Sequence, residues 1–297
     1  MAKKLSLSDT LFDIFNYSFL ALIFIITFYP FWNILVVSLN DATDSVRGGL
    51  YLWPRIFTLD SYATIFRNTE LLVSVKVTVL RTLIGTPLSV LAICMMAYSL
   101  SKRELIAWRY LTLFFIFTMY FGGGLIPTYM IIKSLGLIDS FWVFIFPGLI
   151  GVFLMILVRT YIEGLPAELE ESAKIDGAND LEIFAKVVLP LCIPVLATIA
   201  LFIGIGHWNS WYDSYIYTYK PDLKTLQAVL VKILNQFQTG TMLSEAEALA
   251  NSSKRIPVSG ESIRMAVTMV ATIPIVMVYP FVQRYFVKGI MMGAIKS

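Results

Sequence analysis

The sequence predicts an all-α integral membrane protein, and three observations carry that fold class. The chain has 297 residues, 58% hydrophobic and only 14% charged, against a usual charged share of about 25% in soluble domains. Six runs free of Asp, Glu, Lys and Arg occur at 14–40, 82–101, 110–132, 140–158, 187–212 and 265–283, each longer than the roughly 18 residues that cross the hydrocarbon core as a helix. The apolar/polar alternation of a barrel strand is absent from them, so lipid leaves the helix as the way to satisfy the backbone. Six transmembrane helices follow.

The first run has 27 residues, well beyond the roughly 7–15 of a signal-peptide core, and is read as a permanent anchor. Lys3 and Lys4 before it, and Asp41 and Asp44 after it, place the N-terminal segment 1–13 in the cytoplasm. With six spans the C-terminus returns there, and Arg284, Lys288 and Lys296 agree. Residues 41–70 then lie outside, where Gly48-Gly49 and Pro54 rule out one continuous helix. Asp60 is expected to cap a short helix that packs Tyr62, Ile65 and Phe66 on the bundle.

The second span is expected to start near Leu72 and to carry Lys76 and Arg81. Lys76 can snorkel outward, but Arg81 lies deeper and needs a polar partner or a water-filled cavity. Two readings stay open: a residue lining a path across the membrane, or a structural pair with a neighbouring helix or a second subunit. Lys102 and Arg103 mark a short cytoplasmic turn. Gly122-Gly123-Gly124 with Pro127 should kink or unwind the third span. Eight prolines (30, 87, 127, 147, 190, 194, 274 and 280) fall in the apolar runs, where kinks are tolerated if neighbours or water re-satisfy the freed carbonyls.

A charged insert between apolar runs begins at Glu163, and its core, 163–190, reads as a cytoplasmic helical hairpin. Pro166 suits a first helical position, and Glu168, Glu170 and Glu171 load that helix's positive end. Gly177 is the expected C-cap, with Asn179 and Glu182 forming a capping box for a second helix. Leu165, Leu169 and Ala173 on the first helix and Leu181, Phe184 and Val188 on the second form stripes to bury, and the carboxylates are expected to point away.

The fifth run ends in Trp208, Asn209, Trp211, Tyr212 and Asp213. An aromatic belt at the membrane interface accounts for such a cluster. Flat rings beside an amide and a carboxylate equally suit a sugar, with its apolar C–H faces and hydroxyl rim. On one helix Trp208 and Trp211 would share a face. Beyond, 219–262 is an outer segment: Leu223, Leu226, Leu230, Ile233, Leu234 and Phe237 form an amphipathic stripe, followed by a polar loop. Residues 288–297 are the cytoplasmic tail.

The hairpin resembles the EAA loop of permease subunits of binding-protein-dependent ABC importers. That family's pattern is Glu-Ala-Ala, three residues, Gly, nine residues, an aliphatic, one residue, Leu-Pro. This chain has Glu171-Ser172-Ala173, Lys174-Ile175-Asp176, Gly177, nine residues, Val187, Val188, Leu189-Pro190, with Ser172 and Val187 as small departures. The segment 52–66, WNSWYD at 208–213 and the ending YFVKGIMMGAIKS are similar to carbohydrate permeases, the ending to those for complex oligosaccharides. The resemblance implies the type I importer permease fold in the cytoplasmic membrane, with Glu171, Ser172, Ala173, Asp176, Gly177, Leu189 and Pro190 coupling to an ATPase. Arg81, Trp208, Asn209, Trp211, Tyr212 and Asp213 are its candidates for the path of an oligosaccharide. Implied partners are a second permease, expected to be a different chain, two ATPase subunits and an extracytoplasmic solute-binding protein.

Other chemistries find little support. No Gly-x-x-x-x-Gly-Lys-Ser/Thr loop occurs, so ATP and Mg are expected on the partner ATPase subunits, with no cofactor on this chain. A single histidine, His207, excludes a His-pair metal motif and His-Glu-x-x-His, and no Gly-x-Ser-x-Gly is present. A net charge of +3 spread along the chain gives nothing for nucleic acid. Cys94 and Cys192 lie in apolar runs and read as small core residues. A non-sugar importer permease is an alternative. So is a secondary transporter, less favoured because the charge-free runs hold no acid.

Overall fold

A computed structural model describes residues 7–45, 47–67, 69–235 and 260–294, with side chains from Thr10 to Pro280. Among the described residues helices are the regular elements, with one isolated bridge between Asn40 and Phe57 and no strand. In order come α1 (Leu7–Ser38), α2 (Ala42–Ser45), α3 (Asp60–Arg67), α4 (Thr69–Ser101), α5 (Trp108–Tyr120) and α6 (Leu125–Ser134). Two 3-10 turns, Phe141–Phe144 and Phe146–Gly148, lead into α7 (Val152–Glu163). The hairpin holds α8 (Ala167–Ile175) and α9 (Asp180–Ile183), a π-turn Phe184–Val188 and α10 (Leu189–Leu191). The chain continues through α11 (Ile193–Asn209), α12 (Tyr212–Tyr217), α13 (Leu226–Asn235) and α14 (Gly260–Ala294).

Three helices, α1, α4 and α14, contain unbroken segments long and apolar enough to cross a membrane. Three further runs are bent pairs: α5 with α6 at 120°, the 3-10 turns with α7 at 52°, and Asp180–Leu191 with α11 at 78°. Taken as one span each, the bent pairs bring the number to six, matching the six apolar runs. The break after α5 is sharper than a kink. Residues 121–124 leave the helix altogether, and Gly124 takes φ +82°, a conformation open to glycine. Pro127, Pro147, Pro190 and Pro194 sit in the first turns of their own elements, Pro147 and Pro190 just ahead of a bend and Pro127 and Pro194 just after one, while Pro30, Pro87, Pro274 and Pro280 lie inside continuous helices.

The described parts of 1–68 and 232–273 form one compact unit, and those of 69–231 and 274–297 another. In the first, the loop between α1 and α3 is built around buried Asn40, whose amide donates to Asp44 and Ser45 at 3.0 Å and whose carbonyl accepts from the Ile56 N–H at 2.9 Å. Arg55 closes the loop by donating to Asp44 at 2.8 Å. Asp60 does not cap α3. It is the first helical residue, and the Thr58 hydroxyl accepts its N–H at 3.1 Å, two residues earlier than expected. Ile65 of α3 is buried and Tyr62 bonds Ser38 at 2.8 Å, whereas Phe66 is exposed.

In the second unit the core gathers Ile93, Cys94, Ala97 and Tyr98 of α4, Met155, Val158 and Ile162 of α7, and Val195, Leu196 and Ile199 of α11. Both cysteines are free and buried, as expected of small core residues. A smaller cluster of Val77, Ile132, Val143, Phe144, Ile145 and Tyr217 packs the opposite end of α4. Lys3 and Lys4, Phe237, the polar loop after it, the side chains of Arg284 and Lys288, and Lys296 lie outside the described residues.

Candidate functional site

The hairpin is a pair of helices joined by two interlocking caps. Gly177 adopts φ +80°. Its N–H donates to the Lys174 carbonyl and that of Ala178 to the Ala173 carbonyl, both at 3.0 Å, which is the Schellman closure of α8. Two residues later the Asn179 side chain accepts from the Glu182 N–H at 2.9 Å, and Glu182 accepts from the Asn179 N–H at 3.1 Å. One helix therefore ends and the next begins within four residues, fixing the angle between them.

Several details differ from expectation. Pro166 is the N-cap rather than the first helical residue. Leu165 and Ala173 pack on the core, but Leu169 is largely exposed. On the second arm Ile183 joins Phe184 and Val188 in the core, while Leu181 is 70% exposed. The π-turn from Phe184 widens the helical pitch, so the 3.6-residue register does not run through it. Glu168 and Glu171 point outward, but Glu170 turns back to pair with Lys102. Ser172, Asp176 and Gly177 are exposed. Leu189 packs partly on the core, and Pro190 marks the step into the 78° bend.

At the other end of α4, Arg81 is almost wholly buried, 3% exposed. Its Nη1 donates to Asp213 Oδ1 at 3.0 Å and its Nη2 to Asp213 Oδ2, a two-pronged pair. Its Nε donates to His207 Nδ1 at 3.2 Å, and the guanidinium lies 5.0 Å from the centre of the Phe144 ring. His207 in turn hydrogen-bonds the Gly85 backbone, so Nδ1 is free to accept and Nε2 carries the proton. A Cβ at Gly85 would stand 2.6 Å from His207 Nε2, so glycine is what admits the ring. Asp213 also accepts from the Ser210 hydroxyl at 3.0 Å and the Ser214 N–H at 2.8 Å. The polar partner that Arg81 required is thus supplied within the chain. Phe144 and Ser210 carry no signal of this role in the sequence, and His207 enters the sequence reading only as excluding metal motifs, although a lone histidine next to Trp208 is a usable signal.

The aromatic segment is not one helix. Alpha-11 ends at Asn209, Ser210 is extended at ψ 127°, and α12 starts at Tyr212. Trp208 and Trp211 therefore do not share a face. Trp208 lines an apolar cavity of about 740 Å³ between α4, α11 and residues 274–279 of α14, with Thr82 and Tyr279. Trp211 is exposed and packs edge-on against Tyr212 and Tyr215. Asn209 is exposed and accepts a 3.4 Å bond from Gln227. Among the described residues no cluster of three metal-ligating side chains occurs.

A family model described as the binding-protein-dependent transport system inner membrane component matches residues 5–292. The chain belongs to this family. Among its relatives, the polygalacturonan/rhamnogalacturonan transport system permease protein YtcP of Bacillus subtilis is 39% identical over 98% of this chain and 100% of its own length. The arabinooligosaccharides transport system permease protein AraQ of Halalkalibacterium halodurans is 26% identical over 93% and 94%. A crystal structure of a bacterial ABC transporter involved in the import of the acidic polysaccharide alginate contains a chain that superposes with a TM-score of 0.84 at 30% identity, covering 96% of this chain and 100% of that one. The expected type I permease fold is what the architecture shows.

Proposed function

We propose that this chain is the translocation subunit of an ATP-driven importer of oligosaccharides, with α8 to α10 as the element that receives the ATPase stroke. The single observation that carries the reading is the hairpin: Glu171 to Pro190 holds the family spacing, and the two caps at Gly177 and Asn179 make it a rigid, outward-facing body. Glu171 is exposed and carries no ion pair among the described residues, leaving its charge for a basic group on a partner. ATP and Mg belong to that partner, and the N- and C-termini belong on the same, cytoplasmic side.

The cargo assignment is supported by relatives named for polygalacturonan/rhamnogalacturonan and arabinooligosaccharides and by the alginate importer. The Trp208 cavity has almost entirely apolar walls. Such walls hold a hydroxylated sugar weakly, which suits passage, since a conducted solute must also leave. A different permease chain, two ATPase subunits and an external binding protein complete the assembly in this reading. The test is uptake into vesicles of neutral and acidic oligosaccharides, with and without ATP and the ATPase subunits. Uptake that persists without the ATPase would replace this reading with a secondary carrier.

A further inference from the structure

Glu170 and Glu171 are neighbours in α8, yet their carboxylates do different things. Glu171 faces outward. Glu170, with a side chain only 23% exposed, pairs with the Lys102 ammonium, one residue past the end of α4. That ammonium also sits 4.6 Å from the centre of the Tyr98 ring, and Tyr98 packs at 5.4 Å on Phe184, in the π-turn of the hairpin's other arm. Both arms of the hairpin therefore converge on one turn of α4. The Trp108 indole donates to the Leu100 carbonyl at 2.7 Å and holds the chain beside Lys102 in place.

Apart from this pair, the first arm is held to the core by Leu165 at its start and Ala173 near its end, while Leu169 between them is largely exposed, so the ion pair is the polar tie of α8 to α4. The helix it is tied to is continuous from Thr69 to Ser101, with Pro87 inside it. From Arg81 to Lys102, α4 rises about 30 Å at 1.5 Å per residue, and Arg81 is the residue held by Asp213 and His207.

We infer that the Lys102–Glu170 pair is a latch that makes α4 travel with the hairpin, so that a displacement of α8 reaches the Arg81–Asp213 clasp as the motion of one rigid helix. Lys102 and Glu170 are positioning residues for transport and do not contact the cargo. The inference rests on the reading of the hairpin as the coupling element.

The experiment uses the full importer at matched membrane levels, with Lys102→Gln, Glu170→Gln and the exchange Lys102→Glu with Glu170→Lys, and Glu171→Lys as a reference. The readouts are ATPase retained on purification and oligosaccharide taken up per ATP hydrolysed. Each single change should leave the ATPase bound and lower uptake per ATP about fivefold, the scale of one half-buried ion pair with a cation–π contact. The exchange should recover most of that loss. Wild-type uptake per ATP in the singles, or an exchange no better than they are, overturns the latch. If Glu171→Lys uncouples transport and Lys102→Gln does not, the latch alone falls; if Glu171→Lys is also silent, the coupling reading falls with it.

Discussion

Arg81 and Asp213 stand 132 residues apart and meet as a two-pronged ion pair. Each lies immediately outside a charge-free run, Arg81 before 82–101 and Asp213 after 187–212, so the two charges meet at one level of the fold. Thr78, one turn from Arg81 on α4, accepts the Leu226 N–H at 2.9 Å, giving the segment after α12 a second tie to the same helix face.

The pair should therefore behave as a unit in thermal unfolding of the purified permease. Arg81→Leu leaves the Asp213 carboxylate half-buried without its counter-charge, and Asp213→Leu strands a buried guanidinium. Each should cost stability on the order of 3 kcal/mol. The double change Arg81→Leu with Asp213→Leu should be less damaging than the sum, because replacing both partners of a buried pair by apolar groups is often near neutral. Strict additivity would mean that the two side chains do not depend on each other.

Gly177 permits a cleaner test than most glycines. A Cβ there meets nothing within 4 Å, yet φ is +80°. Substitutions act through backbone conformation alone. Gly177→Val should cost about 1–2 kcal/mol in the cap and uncouple ATP hydrolysis from uptake, while Gly177→Asn, which tolerates this region, should be mild. Equal uptake by both variants would show that the cap angle does not matter to transport.

Asp139 gives a pH signature. It lies between apolar runs, at φ 56°, and its carboxylate accepts the N–H groups of Tyr219 and Lys220. The Tyr219 bond, then the Lys220 bond, hold its pKa below the usual carboxylate value. A depressed folded pKa means the contribution is complete above the unfolded pKa of about 3.9 and disappears as pH falls through the folded value. Asp139→Asn keeps the backbone tolerance and removes the charge. The gap in melting temperature between wild type and Asp139→Asn should be constant near neutral pH and should close below about pH 4. A gap that widens on acidification has the wrong sign for this clamp.

The sequence shows the fold where signals are local. Apolar runs mark every span segment, and Gly177, Asn179 and Glu182 place the caps, because each depends on residues within a turn of one another. Arg81's partner was not legible: a contact across 132 residues leaves no trace in helical periodicity. Leu181 was misplaced because the π-turn at Phe184 breaks the 3.6-residue period on which a stripe relies. Trp208 and Trp211 were put on one face because nothing about Ser210 alone announces that α11 stops before it. Glu170 looked like its neighbours, and Lys102 distinguishes it only in three dimensions.

That break at Ser210 puts the two tryptophans in different surroundings, which one helix would have merged. Trp208 borders the cavity beside Thr82 and Tyr279, whereas Trp211 lies outside it among Tyr212 and Tyr215. A ring on the passage meets the cargo, and its loss should depend on which oligosaccharide is offered. A ring in an interfacial belt meets lipid headgroups, and its loss should be equal for every cargo and should follow protein abundance. Trp208→Ala is therefore expected to lower apparent affinity about fivefold for some oligosaccharides and less for others, corresponding to about 1 kcal/mol of aromatic contact. Trp211→Phe should be silent, and Trp211→Ala should reduce membrane levels without changing preference. The measurement is uptake of a panel of oligosaccharides by each variant, normalised to permease in the membrane. A uniform loss in Trp208→Ala would place that ring with the belt, and a cargo-dependent loss in Trp211→Ala would move the contact surface to the far side of the break.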